Sequence, residues 1–247
     1  MSELFRASAL RHRFPDGTFG LNEVNLSIEE GEFVIIAGRN GAGKSLLMRH
    51  FVGLSAPTSG KVFYRGASVA ERIPLIRKEV GYVFQDTEAQ IFGQTVREDL
   101  AFGPANLGVK GAELERSIDA ALHDAHMDGM ADRRPPTLSG GEKRRLAMAG
   151  VLAMRPRCII LDEPFANLDF PSIHDILSVL STLRAEGVTL VVLTHEIEKV
   201  MALASRLIIL DAGRIAFDAL PREAPKSIFT ASGLVCPYRE CYPWQID

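Results

Sequence analysis

The sequence predicts an α/β protein with a mainly parallel sheet, an N-terminal antiparallel β-subdomain and an inserted helical subdomain. Three observations predict this class. The apolar run Phe33–Ala37 is followed by a glycine-rich turn and then by a helical segment. Three more apolar runs of strand length occur late in the chain, with helical stretches between them. The middle of the chain has helical periodicity alone. Alternating buried strands and helices are typical of parallel sheets with right-handed crossovers.

The N-terminal forty residues are predicted to form strands separated by turns. Pro15-Asp16-Gly17 is a strong turn signal. Residues 21–28 then alternate apolar and polar side chains, as a strand with one buried face does. Phe33–Ala37 is too short for a helix and suits a strand buried on both faces. Residues 45–51, after the glycine-rich turn, have helical character.

The later elements follow the same logic. Strands are predicted at 158–161, 189–193 and 207–210, and a helix at 171–186, with a proline near its start and a glycine just past its end. We expect one domain over residues 1–230 and an irregular C-terminal tail over 231–247.

The block from about 95 to 154 is predicted to be a helical subdomain inserted into the α/β pattern. Thr95 and Glu98 have the spacing of a capping box, and residues 114–125 are amphipathic. This block lies between the predicted strands rather than after them, which is why we interpret it as an insertion.

Composition narrows the class of protein. The 247 residues are 47% hydrophobic and 24% charged, and 28 Lys and Arg against 31 Asp and Glu give a net charge of −3. That balance provides no global attraction for nucleic acid, and no apolar run reaches the ~18–20 residues that span a bilayer. The N-terminal residues carry charges too early for a signal peptide, and three scattered cysteines do not suggest a disulfide framework. We expect a cytosolic chain.

A glycine-rich loop follows the first buried strand and ends in lysine and serine. Residues 38–45 fit the spacing G-x-x-x-x-G-K-[ST], in which backbone N–H groups curl around phosphates at the N-terminus of the next helix. Lys44 would neutralise phosphate oxygens, and the Ser45 hydroxyl would take one position around Mg²⁺. The sequence therefore predicts nucleoside triphosphate binding. The predicted nucleotide contacts of this loop are Gly38, Arg39, Asn40, Gly41, Ala42, Gly43, Lys44, Ser45 and Leu46.

A second motif is an apolar strand that ends in two carboxylates, Asp162 and Glu163. At such a strand end Asp162 can reach the Mg²⁺ shell, and Glu163 can orient or deprotonate the attacking water. The 118 residues between Lys44 and Asp162 exceed what a compact nucleotide-binding unit needs, so the helical insertion must occupy them.

A third motif, Leu138-Ser139-Gly140-Gly141-Glu142, precedes a helix. Its backbone and hydroxyl donors at a helix N-terminus form a second anion site. Ser-Gly-Gly alone is a common loop, but this one lies 23 residues before Asp162. At this point the sequence resembles the ATP-binding cassette family, whose signature motif occupies that place. The resemblance runs from about residue 4 to 219 and implies a head-to-tail dimer, in which each signature (here Ser139, Gly140, Gly141 and Glu142) closes over the γ-phosphate held by the other subunit.

Four further residues gain roles from this resemblance. Gln85 matches a glutamine that approaches Mg²⁺ and the attacking water, and His195 matches a histidine that contacts the γ-phosphate. Asp169 lies in a segment similar to the loop that crosses the dimer interface, although it also suits a helix cap. Phe14 falls where the family stacks an aromatic ring on adenine, although it also suits the core of the β-subdomain.

Residues 83–104 resemble the ATPases of energy-coupling factor importers, including the cobalt and nickel types. The resemblance implies that the groove at about Gln85 to Phe92 receives a transmembrane coupling subunit, and a substrate-binding membrane subunit indirectly. The alternative is that Ile91 and Phe92 are buried within the chain. The second ATPase subunit is either an identical copy or a different chain, and the expected location is the cytoplasmic face of the cell membrane, without nucleic acid.

Several departures and alternatives accompany this interpretation. The signature has Glu142 at its fifth position, and the basic run 143–145 is expected to face acidic groups, phosphate or water. His123 and His126 are interpreted as a solvated polar face rather than a metal site, and Cys236 and Cys241 as separate thiols.

The rival functions are a soluble cassette ATPase acting on DNA, ribosomes or iron–sulfur assembly, and a GTPase or kinase that shares only the phosphate loop. The cargo (cobalt, nickel, biotin or another vitamin) stays open.

Overall fold

The computed structural model describes residues 2–237 and contains two sheets. The smaller sheet is antiparallel, with the order β2-β1-β4-β5. Its strands are β1 (Glu3–Arg13), β2 (Phe19–Glu29), β4 (Ser59–Tyr64) and β5 (Ala67–Ser68). The turn predicted at residues 15–17 joins β1 to β2, and the predicted antiparallel N-terminal β-subdomain is confirmed.

The larger sheet has six strands in the order β10-β9-β3-β8-β7-β6, and all neighbours are parallel except β10 and β9. The four predicted strands are β3 (Phe33–Ala37), β7 (Cys158–Asp162), β8 (Thr189–Thr194) and β9 (Arg206–Asp211). The sheet is completed by β6 (Val80–Val83), where a strand is also predicted at residues 80–84 before Gln85, and by the antiparallel edge strand β10 (Arg214–Ala219).

Helices cover the sheet and fill the predicted insertion. The short helix α1 (Lys44–Phe51) follows β3, and α2 (Val69–Glu79) precedes β6. Three helices lie between β6 and β7, and α6 (Phe170–Ala185) lies between β7 and β8. The three inserted helices are α3 (Val96–Asn106), α4 (Gly111–Asp124) and α5 (Gly140–Leu152). Helix α2 was not predicted, because it carries Pro74 in its interior, where proline normally disfavours a helix.

The two faces of the larger sheet bury separate apolar cores. Along β3, Phe33 and Ile35 face the core beneath α3 to α6, and Val34 and Ile36 face the β-subdomain and α1. All five residues of β3 are buried, as expected for a central parallel strand. This double cover fixes the carboxyl ends of β3, β7 and β8, where the loops and charged residues of the candidate site begin.

The C-terminal part of the described chain packs on the first of these cores. The helix α7 (Lys226–Ala231) buries Phe229, and Leu234 beyond it is also buried. No helix among residues 2–237 has both the length and the apolar character that crossing a bilayer requires. The domain boundary at residue 230 stays a prediction.

Candidate active site

The loop that joins β3 to α1 ends at Gly43, a glycine that no other residue replaces easily. Gly43 has φ +105°, and a Cβ on it would lie 2.7 Å from the carbonyl oxygen of Gly20. As N-cap of α1 it provides no side-chain hydrogen bond, so the N–H groups of the first turn remain for an external acceptor. The loop therefore presents an anion site at the start of a helix.

Three charged or titratable side chains form a row beside this loop. The Nζ of Lys44 donates to the Gly38 carbonyl at 2.7 Å and lies 3.2 Å from Oε1 of Glu163. The other oxygen of Glu163 accepts from Nδ1 of His195 at 3.0 Å. Lys44 and Glu163 are only 6% and 4% exposed, so water screens their attraction poorly.

The backbone holds Glu163 in an unusual conformation at the end of β7. Its φ is +47°, and its N–H donates to the carbonyl of Leu193 on β8 at 2.8 Å. A positive φ is uncommon outside glycine, and it is often found at functional sites. The geometry turns the carboxylate toward Lys44 and His195 rather than into solvent.

Asp162, the last residue of β7, has two oxygens in different surroundings. Its Oδ2 accepts from the Tyr82 hydroxyl at 3.0 Å, whereas its Oδ1 is buried and has no hydrogen-bond partner within the described part of the chain. Burial raises the pKa of this carboxyl, and the neighbouring hydroxyls of Ser45 and Tyr82 act in the opposite direction. An unpaired buried carboxylate oxygen next to a hydroxyl is suited to a hard cation.

Two open clefts meet at this point and share Ser45, Gln85 and Asp162. The smaller, of about 340 Å³, is also lined by the phosphate loop, Glu163 and Phe14. Phe14 is 42% exposed, so it belongs to the cleft wall and not to the core of the β-subdomain. The larger cleft, of about 720 Å³, extends along residues 84–92.

The signature segment lies at the N-terminus of α5, as predicted. The Ser139 oxygen accepts from the N–H of Glu142 at 3.2 Å, and the Glu142 carboxylate accepts from the N–H of Ser139 at 2.7 Å. Ser139 and Gly140 are exposed, and a Cβ on Gly140 would meet nothing within 4 Å. Hydrogen bonding to the Ser139 backbone lowers the pKa of Glu142, and Arg133 lies 2.8 Å from its second oxygen.

The basic run after the signature is largely engaged inside the molecule. Lys143 pairs with Glu88 and Arg145 with Asp175. Of the neighbours expected for this run (acidic groups, phosphate or water), these two residues have acidic groups. Arg144 differs: it is buried, and its Nη1 donates to the carbonyl oxygens of Phe84 and Gln85 at 3.2 and 2.9 Å. Sequence reasoning missed this link between α5 and the loop of Gln85, because no local pattern indicates a bond across 59 residues.

The segment 85–92 is clamped at its base and exposed at its tip. The Gln90 amide accepts from the N–H of Phe84 and donates to the carbonyl of Tyr82, both at 3.0 Å. Phe92 is 69% exposed and lies 5.7 Å from the ring of Phe102, which is 56% exposed. Ile91 packs partly against the core, so of the two apolar residues only Phe92 is freely presented.

The remaining candidate residues have local roles in the structure. Asp169 caps α6, since its side chain accepts from the N–H of Ser172 at 3.1 Å. Hydrogen bonding to the Ser172 hydroxyl, and then to this N–H, lowers the pKa of Asp169. The side chain of His123 is 80% exposed, and no cluster of three potential metal ligands occurs in residues 2–237. Cys236 is half-buried against the core, and Cys241 lies outside the described residues.

Comparison with known proteins decides the family. The model of the ABC transporter family matches residues 21–166, which is more than half of the chain. The chain belongs to the ABC transporter family. This cassette is 40% identical over 217 residues to the energy-coupling factor transporter ATP-binding protein EcfA of Methanococcus maripaludis, covering 87% of this chain and 78% of that protein. It is 42% identical over 218 residues to the cobalt import ATP-binding protein CbiO of Rhodobacter capsulatus, with the same coverage of 87% and 78%.

Solved structures agree with the cassette fold. CbiO1 of Clostridium perfringens, described as part of the transporter complex cbiONQ, superimposes with a TM-score of 0.83 at 32% identity and covers 90% of each chain. A dimeric ATP-binding cassette in a post-hydrolysis state with ADP and Pi superimposes with a TM-score of 0.80 at 29% identity, covering 90% of this chain and all of that one. The predicted fold class and the predicted resemblance are confirmed, and ATP is the ligand of the family.

Proposed function

We propose that this cassette is the ATP-hydrolysing subunit of an energy-coupling factor importer, which drives uptake of a transition metal ion or a vitamin through membrane partners. The convergence of Lys44, Asp162, Glu163 and His195 on one cleft supports the ATPase activity. The importer assignment rests on its similarity to proteins named EcfA and CbiO.

The hydrolytic step uses the row of side chains beside the phosphate loop. The backbone N–H groups at the start of α1 and the Lys44 ammonium hold the β- and γ-phosphates. Glu163 accepts a proton from a water whose oxygen attacks the γ-phosphorus, while the bond to the β-γ bridging oxygen breaks and ADP leaves. His195 donates to Glu163 and thereby orients it. The family resemblance implies that His195 also contacts the γ-phosphate. Phe14 stacks on the adenine.

Mg²⁺ fits the oxygen-rich corner of the same cleft. Ser45 offers a hydroxyl, Gln85 a carboxamide oxygen, and Asp162 a buried carboxylate oxygen without a hydrogen-bond partner among the described residues. These are the hard oxygen ligands that Mg²⁺ prefers. When bound, the ion would neutralise charge on the phosphate oxygens.

The signature completes the site of a second chain. Ser139 and Gly140 face outward with helix N–H groups behind them, and Arg133 compensates the negative charge of Glu142. This one chain carries both an intact phosphate loop and an intact signature, so two copies related head to tail form two complete sites. Asp169 and its loop lie at the crossing point between the copies, as the family resemblance implies.

The membrane partner contacts the segment 85–92. Phe92 and Phe102 form an exposed aromatic pair beside the clamp made by Gln90. Exposed apolar rings of this kind mark binding surfaces. The cassette would then act as a peripheral subunit at the cytoplasmic face of the membrane, with the substrate-binding membrane subunit reached only through the coupling subunit.

Co-purification tests this proposal directly. The tagged chain is isolated from gently solubilised membranes of its native cell, and its companions are identified by mass spectrometry. We expect a helical membrane subunit and a substrate-binding membrane protein, and we expect both to be lost with Phe92→Ser and retained with Val235→Ser, a control with an apolar side chain 55% exposed. Recovery with ribosomal, iron–sulfur or DNA-associated partners instead would contradict the importer assignment and leave the ATPase chemistry standing.

A further inference from the structure

Tyr82 places a phenol against the carboxylate at the cation corner of the cleft. It lies on β6, opposite Ile160 of β7 in the parallel register, and its hydroxyl donates to Oδ2 of Asp162 at 3.0 Å. Its ring stacks on Phe84, with centroids 4.5 Å apart and planes inclined by 30°. The ring of Tyr82 therefore packs against Phe84, whereas its hydroxyl bonds to Asp162 at the site.

We propose that Tyr82 is a positioning residue for the catalytic cation: its hydroxyl fixes the rotation of the Asp162 carboxylate and leaves Oδ1 as the ligand oxygen. This inference rests on the proposed ATPase function. A carboxylate at a strand end can rotate, and either of its oxygens then faces the cation. Because a hydrogen bond occupies Oδ2, the carboxylate keeps one orientation, and Oδ1 is the oxygen left unpaired.

The side chain of Gln90 holds the backbone around Tyr82 through two hydrogen bonds. Gln90 donates to the Tyr82 carbonyl and accepts from the N–H of Phe84, each at 3.0 Å. These two bonds pin the chain on both sides of Val83, where β6 ends. The position of the hydroxyl is thus tied to the base of the segment 85–92, which is the segment that we propose meets the membrane partner.

The chain contains a matched control for the loss of one phenol hydroxyl. Tyr64 on β4 is fully buried, and its hydroxyl donates to Oε2 of Glu79 at 2.7 Å. It lies in the core of the β-subdomain and does not line either cleft at the phosphate loop. Tyr64→Phe and Tyr82→Phe each keep the ring and remove one hydrogen bond to a carboxylate.

Cation binding in the full chain distinguishes the two variants. Mn²⁺ replaces Mg²⁺ as the probe, its affinity for the ADP complex is measured by electron paramagnetic resonance, and ADP affinity is measured separately in EDTA. We expect Tyr82→Phe to weaken Mn²⁺ binding about tenfold and to leave ADP affinity in EDTA unchanged, since partners that orient a metal ligand typically change metal affinity by this order. Tyr64→Phe should change neither quantity.

The same variants separate the outcomes in hydrolysis. With Tyr82→Phe, the Mg²⁺ concentration for half-maximal ATP hydrolysis should rise about tenfold while the rate at saturating Mg²⁺ changes less. Mn²⁺ affinity within twofold of the parent chain, or an equal loss of ADP affinity in EDTA, would overturn the positioning role. A parent chain that binds no Mn²⁺ with ADP would overturn the proposed function itself, and this inference with it.

Discussion

The phosphate loop and the signature are two anion sites at helix N-termini, yet the structure treats them in opposite ways. Around the phosphate loop, Lys44, Asp162 and Glu163 are at most 6% exposed, and their side chains bond to one another or to the surrounding loop and strands. At the signature, Ser139 and Gly140 are exposed, the side chain of Ser139 bonds only to Glu142 of its own helix among the hydrogen bonds described for residues 2–237, and a Cβ on Gly140 would meet nothing within 4 Å. This contrast supports the proposal that the first site binds ATP by itself and that the second acts against a second chain.

This difference shows how charged groups are distributed between the buried half of the site at the phosphate loop and the exposed half at the signature. The buried half contains the groups whose strength depends on exclusion of water: an ammonium, two carboxylates and the imidazole of His195. The exposed half offers neutral donors, and its one carboxylate, Glu142, is engaged by the Ser139 backbone and by Arg133. A surface without net negative charge can approach a bound triphosphate at little electrostatic cost.

The largest effect that separates the two halves is expected for Ser139→Ala. Removing the hydroxyl deletes a donor to the partner's γ-phosphate, and we expect ATP hydrolysis to fall roughly 10- to 100-fold while ATP binding by the single chain is unchanged. The change also removes a helix cap worth ~1 kcal/mol. ATP affinity and the steady-state hydrolysis rate are the measurements.

Thr95→Ala is the control for the lost cap. Thr95 caps α3 by accepting from the N–H of Glu98 at 3.2 Å, the same distance as the bond from Glu142 to Ser139. We expect a similar loss in unfolding free energy and little change in hydrolysis. If both variants lose hydrolysis equally, the signature hydroxyl acts only as a cap and the comparison fails.

A smaller effect is expected on the other side of the phosphate loop, for Phe14→Ala. Loss of the stacked ring should weaken ATP binding about 3- to 10-fold, in line with aromatic contacts of 0.5–1.5 kcal/mol. Phe19→Ala is the control, because Phe19 is 49% exposed against 42% for Phe14 but does not line the cleft. If titration calorimetry shows that Phe14→Ala and Phe19→Ala weaken ATP affinity equally, Phe14 does not stack on the adenine.

A separate effect, on stability and not on ATP binding or hydrolysis, is expected in acid at the histidine pair beneath Phe14. His50 is buried, with Nε2 3.1 Å from Nδ1 of His12, and burial followed by the His12 charge lowers the pKa of His50 to about 4. Because the unfolded chain binds this proton near pH 6.5, the free energy of unfolding should fall by roughly 2–3 kcal/mol as pH drops from 6.5 to 4. Urea unfolding at several pH values measures it.

His50→Gln should flatten this pH dependence, and His174→Gln, at an exposed position on α6, should leave it unchanged. An unaltered slope in His50→Gln would show that the proton is bound elsewhere.

Features that depend on neighbouring residues could be predicted from the sequence, whereas contacts that depend on the order of the strands could not. The phosphate loop, the strand ending at Asp162, the cap at Thr95 and the helix that starts after Ser139 each depend on neighbouring residues, and each is found where it was predicted. For Thr95 the match is half a capping box, because Glu98 accepts from the N–H of Gln94 instead of Thr95.

Other features depend on contacts that a single segment does not encode. Tyr82 and Asp162 are 80 residues apart and meet only because β6 and β7 are neighbours in the sheet. Arg144 reaches the carbonyl of Gln85 because α5 packs beside β6. The edge strand β10 was missed because its side chains alternate between exposed and half-buried, without the apolar run that predicted the central strands.

The most direct test of two half-sites in one chain is the solution mass of Glu163→Gln with ATP. The amide keeps the size of the side chain and removes the base, so hydrolysis should fall about 10²- to 10⁴-fold while ATP stays bound. By multi-angle light scattering we expect the 27.1 kDa chain to double in mass with saturating ATP and to remain single without it. A single-chain mass at saturating ATP, or hydrolysis at the parent rate, would contradict the account.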